Sequence, residues 1–231
     1  MSKKKLVILT GAGMSAESGI STFRDSGGLW EKYDVQDVAS IDGWHRNPAL
    51  VQEFYNARRK QLITTSPNDG HKGLVALEEL FDVQIITQNV DNLHERAGSS
   101  HVLHLHGELT KVRSTRNESR IYTLTPDNCE ISMDTRDEYG DPVRPHIVFF
   151  QEAVPNFEPA VEMAQEADIF VVIGTSLNVY PAAGLLSYVR RGVPVYYIDP
   201  NPAKVPPGVE VLPMVATEGV KALKEKLIGK C

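Results

Sequence analysis

The residues best equipped for chemistry stand in short runs between apolar stretches. Gln88-Asn89-Val90-Asp91-Asn92 crowds three amides and a carboxylate directly behind the apolar run Val83-Gln84-Ile85-Ile86-Thr87. If that run is a parallel strand, these groups lie at its carboxyl end, where open α/β sheets bind ligands. The alternative is a polar cap on the next helix, with Asp91 as its N-cap. Gly11-Ala12-Gly13, with Ala16 three residues on, matches the G-x-G-x-x-G/A pattern. Such a loop turns tightly, lets backbone approach a pyrophosphate and offers a helix N-terminus to the phosphates; a plain strand-to-turn transition would use the same glycines. Asp199 ends a further apolar run, 25 residues after Gly174, and could accept hydrogen bonds from ribose hydroxyls or cap a turn. His101, His104 and His106 read as sharing one face of a strand. With no thiolate nearby and few carboxylates, a polar strand edge is the commoner use of such histidines than a metal.

Those groups need a scaffold. Leu6–Leu9 reads as a buried parallel strand, and so does Asp168–Ile173, the strongest apolar run, which stops at Gly174-Thr175-Ser176. Further strands are expected over Val83–Thr87, over His146–Phe150 with the main sheet resuming there, and over Val193–Ile198. Leu50, Val51, Phe54, Tyr55, Arg58 and Leu62 recur at helical spacing behind Pro48. Helices are also expected over about 71–80, 158–166 and 217–227, and a crossover over 181–190. Residues 110–145 are polar and turn-rich, with one short strand near Arg120–Leu124. Strands alternating with helices predict an α/β fold: a doubly wound, parallel, Rossmann-like sheet with a small inserted domain. The expected core is about 1–30, 71–110 and 145–231, with inserts at about 31–70 and 110–145, all within a single domain-sized unit of 1–231.

Composition narrows the function. The chain is 42% hydrophobic and 23% charged, with a formal charge of -6 and a pI near 5.7. Lys3-Lys4-Lys5 is a short solvated run, so a nucleic-acid partner is not expected. No apolar stretch suffices for a membrane span and no signal peptide is visible, so a cytoplasmic protein is expected. Cys129 and Cys231 are the only cysteines, which excludes a disulfide framework and a four-cysteine zinc site. The oligomeric state is not legible.

Taken in order, Gly11-Ala12-Gly13-Met14-Ser15 with Ser18-Gly19-Ile20, Thr22-Phe23-Arg24, Gln88-Asn89-Val90-Asp91, His106-Gly107 and Gly174-Thr175-Ser176 resemble the sirtuin family of NAD-dependent protein-lysine deacylases. The likeness runs from about Lys5 to Leu227 and is nearest to short bacterial sirtuins. It implies that NAD is consumed as a co-substrate. The acyl oxygen of an acyl-lysine attacks the nicotinamide ribose, nicotinamide leaves, and a histidine base activates a ribose hydroxyl that takes the acyl group. By this resemblance His106 is the base, and Asn89 and Asp91 orient ribose, water and carboxamide. Gln88 contacts ribose hydroxyls. Ala12, Phe23 and Arg24 belong to the loop over the nicotinamide side, Gly11, Gly13, Glu17 and Thr22 also bind the cofactor, and Gly174, Thr175, Ser176, Asp199, Asn201 and Ala216 hold the adenosine half. Val148–Glu152 and Leu177–Val179, with Val148, Phe150 and Val179 as contacts, resemble the two strands between which an acyl-lysine peptide inserts.

Phe54-Tyr55-Asn56-Ala57-Arg58 resembles the Tyr-x-x-Arg pattern of sirtuins that accept succinyl- and malonyl-lysine; spacing alone would leave Tyr55 and Arg58 on an ordinary amphipathic face. One departure stands out. Most sirtuins hold a structural zinc with four cysteines in two close pairs, but here Ser114 stands where the first is expected and only Cys129 follows. No metal is therefore expected, and the degenerate ribbon must replace about 10–16 kcal/mol of apparent zinc-binding energy by other contacts. Other readings of the same scaffold are a protein ADP-ribosyltransferase and a silent NAD-binding module.

Overall fold

The computed structural model describes residues 2–20 and 32–229. Among them six strands form a parallel sheet in the order β3-β2-β1-β7-β8-β9: β1 (Lys5–Thr10), β2 (Asp82–Thr87), β3 (Val102–His104), β7 (Ile169–Ile173), β8 (Val195–Ile198) and β9 (Val209–Leu212). Alternation along each strand serves two cores. Leu6, Ile8, Ile85, Val171, Ile173, Tyr196 and Ile198 face one side, against Leu74 and Leu77 of α5 (Asp69–Leu77) and Val220, Leu223 and Leu227 of α8 (Ala216–Ile228). Val7, Leu9, Ile86, Phe170, Val172 and Tyr197 face the other. They meet Ala160 and Ala164 of α7 (Phe157–Glu166) and Leu185 of a 3₁₀ turn (Ala182–Tyr188).

The antiparallel sheet β5-β4-β6 consists of β4 (Gly107–Ser114), β5 (Ile121–Thr123) and β6 (Val143–Ile147). The expectation that the main sheet resumes at His146–Phe150 is therefore corrected. That apolar run pairs with β4 through Ile147 opposite Gly107, and its remainder leaves the sheet. Apolar content could signal a strand there but not its partner. In the chain between β1 and β2 lie α2 (Val35–Val38), α3 (Ile41–Arg46) and α4 (Pro48–Thr64). Asn47 Oδ1 accepts the Leu50 N–H at 3.2 Å at the start of α4, where Pro48 needs no donor. Its apolar stripe of Val51, Phe54, Tyr55 and Leu62 packs on Leu93, Leu109, Ile147 and Phe149. None of the described helices is long and apolar enough to cross a membrane.

A buried histidine pair sits beneath the sheet's carboxyl edge. His71 of α5 and His94 of α6 (Leu93–Ala97) meet edge to face, with ring centroids 4.9 Å apart. The Asn68 N–H points at His71 Nδ1 at 3.3 Å, which favours a neutral ring. Burial pushes His71 down to about 4 and His94 well down also. For a base whose folded pKa is depressed, the unfolded chain takes up its proton first. The His71 contribution is thus complete above the unfolded value of 6.5 and is lost as pH falls towards 4. That amounts to about 3 kcal/mol for His71 alone. His104 opposes this: burial lowers it, but Glu95, Glu108 and the Asn89 carbonyl together raise it by more, so it contributes stability below the unfolded value. The melting temperature is expected to fall between pH 7 and pH 5, and to fall less in His71→Gln. A flat profile in the parent chain would show that the pair ionises freely.

Candidate active site

The carboxyl ends of β2, β1 and β7 lie side by side, and strand order reverses between β1 and β7. A crevice at such a point binds nucleotides in doubly wound sheets. The glycine motif builds its floor. The Gly11 N–H donates to Ile173 O (2.9 Å) and the Gly13 N–H to Gly174 O (2.8 Å). A Cβ on Gly13 would lie 2.7 Å from Gly174 Cα, and one on Gly11 2.6 Å from Thr175 Cβ. The motif thus interlocks two strand ends, and the expected run of free helix N–H groups is corrected: α1 (Gly13–Ala16) is a single turn whose Gly13 donor is already used. Thr22, Phe23 and Arg24 lie outside the described residues.

A directed hydrogen-bond chain runs along this floor. Asn89 Nδ2 donates to Gly11 O (3.0 Å) and Ser15 Oγ (3.1 Å), and the Ser15 hydroxyl donates to Asp91 Oδ2 (3.0 Å). Asp91 Oδ1 accepts the Leu93 N–H at 3.1 Å, but the N-cap of α6 is Asn92, so the reading of Asp91 as N-cap is corrected. Burial pushes the Asp91 carboxyl up against those two donors. Behind Asn89, the Thr10 hydroxyl meets Thr87 Oγ1 (2.9 Å) and His94 Nε2 (3.1 Å), while Thr87 Oγ1 accepts the Asn89 N–H (3.0 Å). Ser15, Thr10 and Thr87 are buried site residues that pattern reading does not assign. Only the place of Ser15 inside the glycine motif hinted at it.

The three histidines part ways. His101 and His104 are three residues apart, an odd spacing that sends them to opposite faces, so the one-face expectation is corrected. His101 is exposed, whereas His104 is buried between Asn89 O (3.0 Å) and Glu95 Oε1 (2.8 Å) rather than on a polar edge. His106 is half-buried, and its Nδ1 lies 3.1 Å from the Gln88 carbonyl. Nδ1–H must donate there, which leaves Nε2 as the free lone pair. Burial holds His106 below its ordinary value, partly offset by that bond. Its carbonyl accepts the Val148 N–H at 3.0 Å. The next residue, Gly107, has φ +81, and a Cβ there would lie 2.1 Å from His146 O; only glycine lets β4 start against β6.

Around this centre, Gln88 Nε2 donates to Thr175 Oγ1 at 3.1 Å. Ser176 is half-buried beside it. The Tyr197 hydroxyl donates to Thr175 O (2.8 Å) and accepts the Ala203 N–H (3.1 Å), joining the loops after β7 and β8. Asp199 is buried, and its Oδ1 accepts the Asn201 N–H at 2.8 Å, the turn-cap alternative. Glu17 reaches the start of α8 beside Ala216, accepting Thr217 N–H (3.0 Å) and Oγ1–H (2.7 Å).

On the far side, Tyr55 and Arg58 come together as spacing allows. The Arg58 guanidinium carbon lies 5.8 Å from the Tyr55 ring centre. Burial raises the Tyr55 phenol to about 12 and lowers Arg58, which Tyr55 and Asp91 partly restore. Val148–Glu152 and Leu177–Val179 are not regular strands, which corrects that expectation. Phe150, exposed, makes one bridge to Ser40, and the turn before Glu152 places Gln151 at φ 77. Glu152 fixes this turn, accepting Phe149 N–H (2.7 Å) and both Arg144 guanidinium nitrogens (2.8 and 2.9 Å). Val148 and Val179 are half-buried.

No group of three or more His, Cys, Asp or Glu among the described residues is arranged to hold a metal. The amide, hydroxyl and carboxylate groups converging at the strand-order reversal fit a nucleotide with ribose hydroxyls and a carboxamide. Comparison with known proteins agrees. The family model described as Sir2 family matches residues 11–181. An NAD-dependent protein deacylase of Bacteroides thetaiotaomicron is 60% identical over 230 residues, covering 97% of this chain and 98% of its own. A crystal structure of a Sir2 homolog–NAD complex superposes with a TM-score of 0.87 at 34% identity, covering 99% of this chain and 91% of that one. A Sir2 protein solved with a deacetylated p53 peptide and 3'-O-acetyl ADP-ribose gives 0.80 at 31% identity, covering 97% and 94%. With a family match over most of its length and relatives this similar, the chain belongs to the Sir2 family.

Proposed function

We propose that His106 is the general base of an NAD-dependent deacylation of protein lysine side chains. The chain is an NAD-dependent protein deacylase. The observation that carries the role of His106 is its anchorage: Nδ1 is spent on Gln88 O, and burial keeps the ring neutral, so Nε2 is a base at neutral pH. When bound, NAD supplies an anomeric carbon with nicotinamide as leaving group and a ribose hydroxyl that takes over the acyl group.

The rest is positioning by this chain. Gly174, Thr175, Ser176, Asn201 and Ala216 would hold the adenosine half, with Asp199 shaping its loop. Gln88 would meet ribose hydroxyls. Ala12, with Phe23 and Arg24, would cover the nicotinamide side, Gly11, Gly13 and Thr22 would also contact the cofactor, and Glu17 would act by fixing the start of α8. Asn89 and Asp91, held in register by Ser15, would orient the carboxamide and a water. Acyl-lysine peptides would pair with Val148–Phe150 and Val179. Tyr55 and Arg58 would meet the acyl group's far end, which suits succinyl- and malonyl- as well as acetyl-lysine.

Asn89→Ala and Asp91→Asn test this arrangement. Both should slow nicotinamide release at least tenfold, because each breaks the chain that aims the other, while costing the fold only about the 1–3 kcal/mol of a buried hydrogen bond. Normal specific activity in the fraction that survives unfolding would leave these residues a purely capping role.

A further inference from the structure

Two turns of the antiparallel ribbon close around a cation that belongs to the chain itself. Where β4 ends, Ser114 Oγ accepts the N–H groups of Arg116 (3.3 Å) and Asn117 (3.4 Å). Before β6, Asp137 Oδ1 accepts those of Tyr139 (3.0 Å) and Asp141 (2.9 Å). Each turn thus presents one oxygen, fixed by two backbone donors. The Arg120 guanidinium reaches between them. Its Nη2 donates to Ser114 Oγ at 3.0 Å and to the Asp141 carboxylate, and its Nη1 lies 3.2 Å from Asp137 Oδ2. It also stacks over the Tyr139 ring, 4.5 Å from its centre. The Asp137 side chain is wholly shielded from solvent.

This donor set does not fit the zinc that the sirtuin resemblance implies. Structural zinc takes thiolate and imidazole ligands, and here the turns offer a hydroxyl and carboxylates already facing a fixed positive charge. Cys129, the one cysteine among the described residues, is drawn to the other side of the ribbon, where its carbonyl accepts Arg59 Nε of α4 at 2.7 Å. We propose that the Arg120 guanidinium takes the place of the metal, clasping the turns at Ser114 and Asp137–Asp141, so that the ribbon folds without zinc. A planar guanidinium with several donors can span two carboxylates and a hydroxyl at once, which a lysine cannot. The clasp bears on the site because β4 starts directly after His106 and β6 runs into the Phe149–Glu152 turn.

Metal analysis and amide exchange on the full chain test this. The purified protein should contain far less than one zinc per chain, and a chelator should leave exchange in residues 110–145 unchanged. In Arg120→Met, amides closing the ribbon turns, such as Ser114 (to Arg120 O) and Thr115 (to Pro142 O), should exchange at least tenfold faster. Those of β1, β2 and β7 should keep their rates. Asp141→Asn, which removes one charge and keeps the shape, should accelerate the same amides less, and serves if Arg120→Met does not fold. One zinc per chain, chelator-accelerated exchange, or unchanged ribbon exchange in the variants would each overturn the proposal.

Discussion

Replacing His106 by alanine is expected to lower deacylation of an acyl-lysine peptide by about 10²–10⁴-fold, the usual contribution of a positioned base. The same change should cost the fold little. His106 is half-buried and gives up one hydrogen bond, to Gln88 O, worth about 1 kcal/mol. The acid limb of the rate profile carries the same signature. Burial lowers His106, so the neutral, active ring should persist below the ordinary 6.5, and that limb should lie on the acid side of this value. Gln88 cannot be swapped for this effect, because the acceptor is its backbone carbonyl. Near wild-type turnover by folded His106→Ala would remove the residue from the role.

The second large effect concerns acyl choice. Arg58→Met should raise KM for a succinyl-lysine peptide by about tenfold or more and change acetyl turnover far less. The figure follows from a charge-assisted bond worth about 1.5–3 kcal/mol. The guanidinium lies near the Phe54 and Tyr55 rings, while burial works against its charge. An acetyl methyl offers that charge nothing, whereas a terminal carboxylate offers a fork and a second acceptor for Tyr55. Equal losses on both peptides would make Arg58 structural, and absence of desuccinylation by the parent chain would end the specificity reading.

How far these features are legible in the sequence depends on the kind of contact that makes them. β1 and β7 are readable because burial on both faces demands apolar runs, β2 because Val83, Ile85 and Ile86 keep enough of that pattern, and α4 because one buried stripe repeats at helical spacing. β9 is not, since Val209–Leu212 is a short edge strand carrying Glu210 and half-exposed positions. His146–Phe150 reads as a strand, whereas the strand formed is Val143–Ile147, and its pairing with β4 is a long-range fact that no local pattern carries. Asn89, Asp91 and His106 stand out as polar groups at strand ends. Their geometry depends on Ser15, 74 residues before Asn89, and on a backbone carbonyl at Gln88 that has no sequence signal. The ribbon is legible only as a loss of cysteines. What replaces them, an arginine between a serine and two aspartates, is assembled by the turns themselves.

The central claim is tested most directly by mass spectrometry of the products after incubation with NAD and an acyl-lysine peptide. The expected result is equimolar free nicotinamide, deacylated peptide and O-acyl-ADP-ribose. A mass gain of ADP-ribose on protein or peptide, or no nicotinamide at all, would contradict it and point to a transferase or to a silent nucleotide-binding module instead.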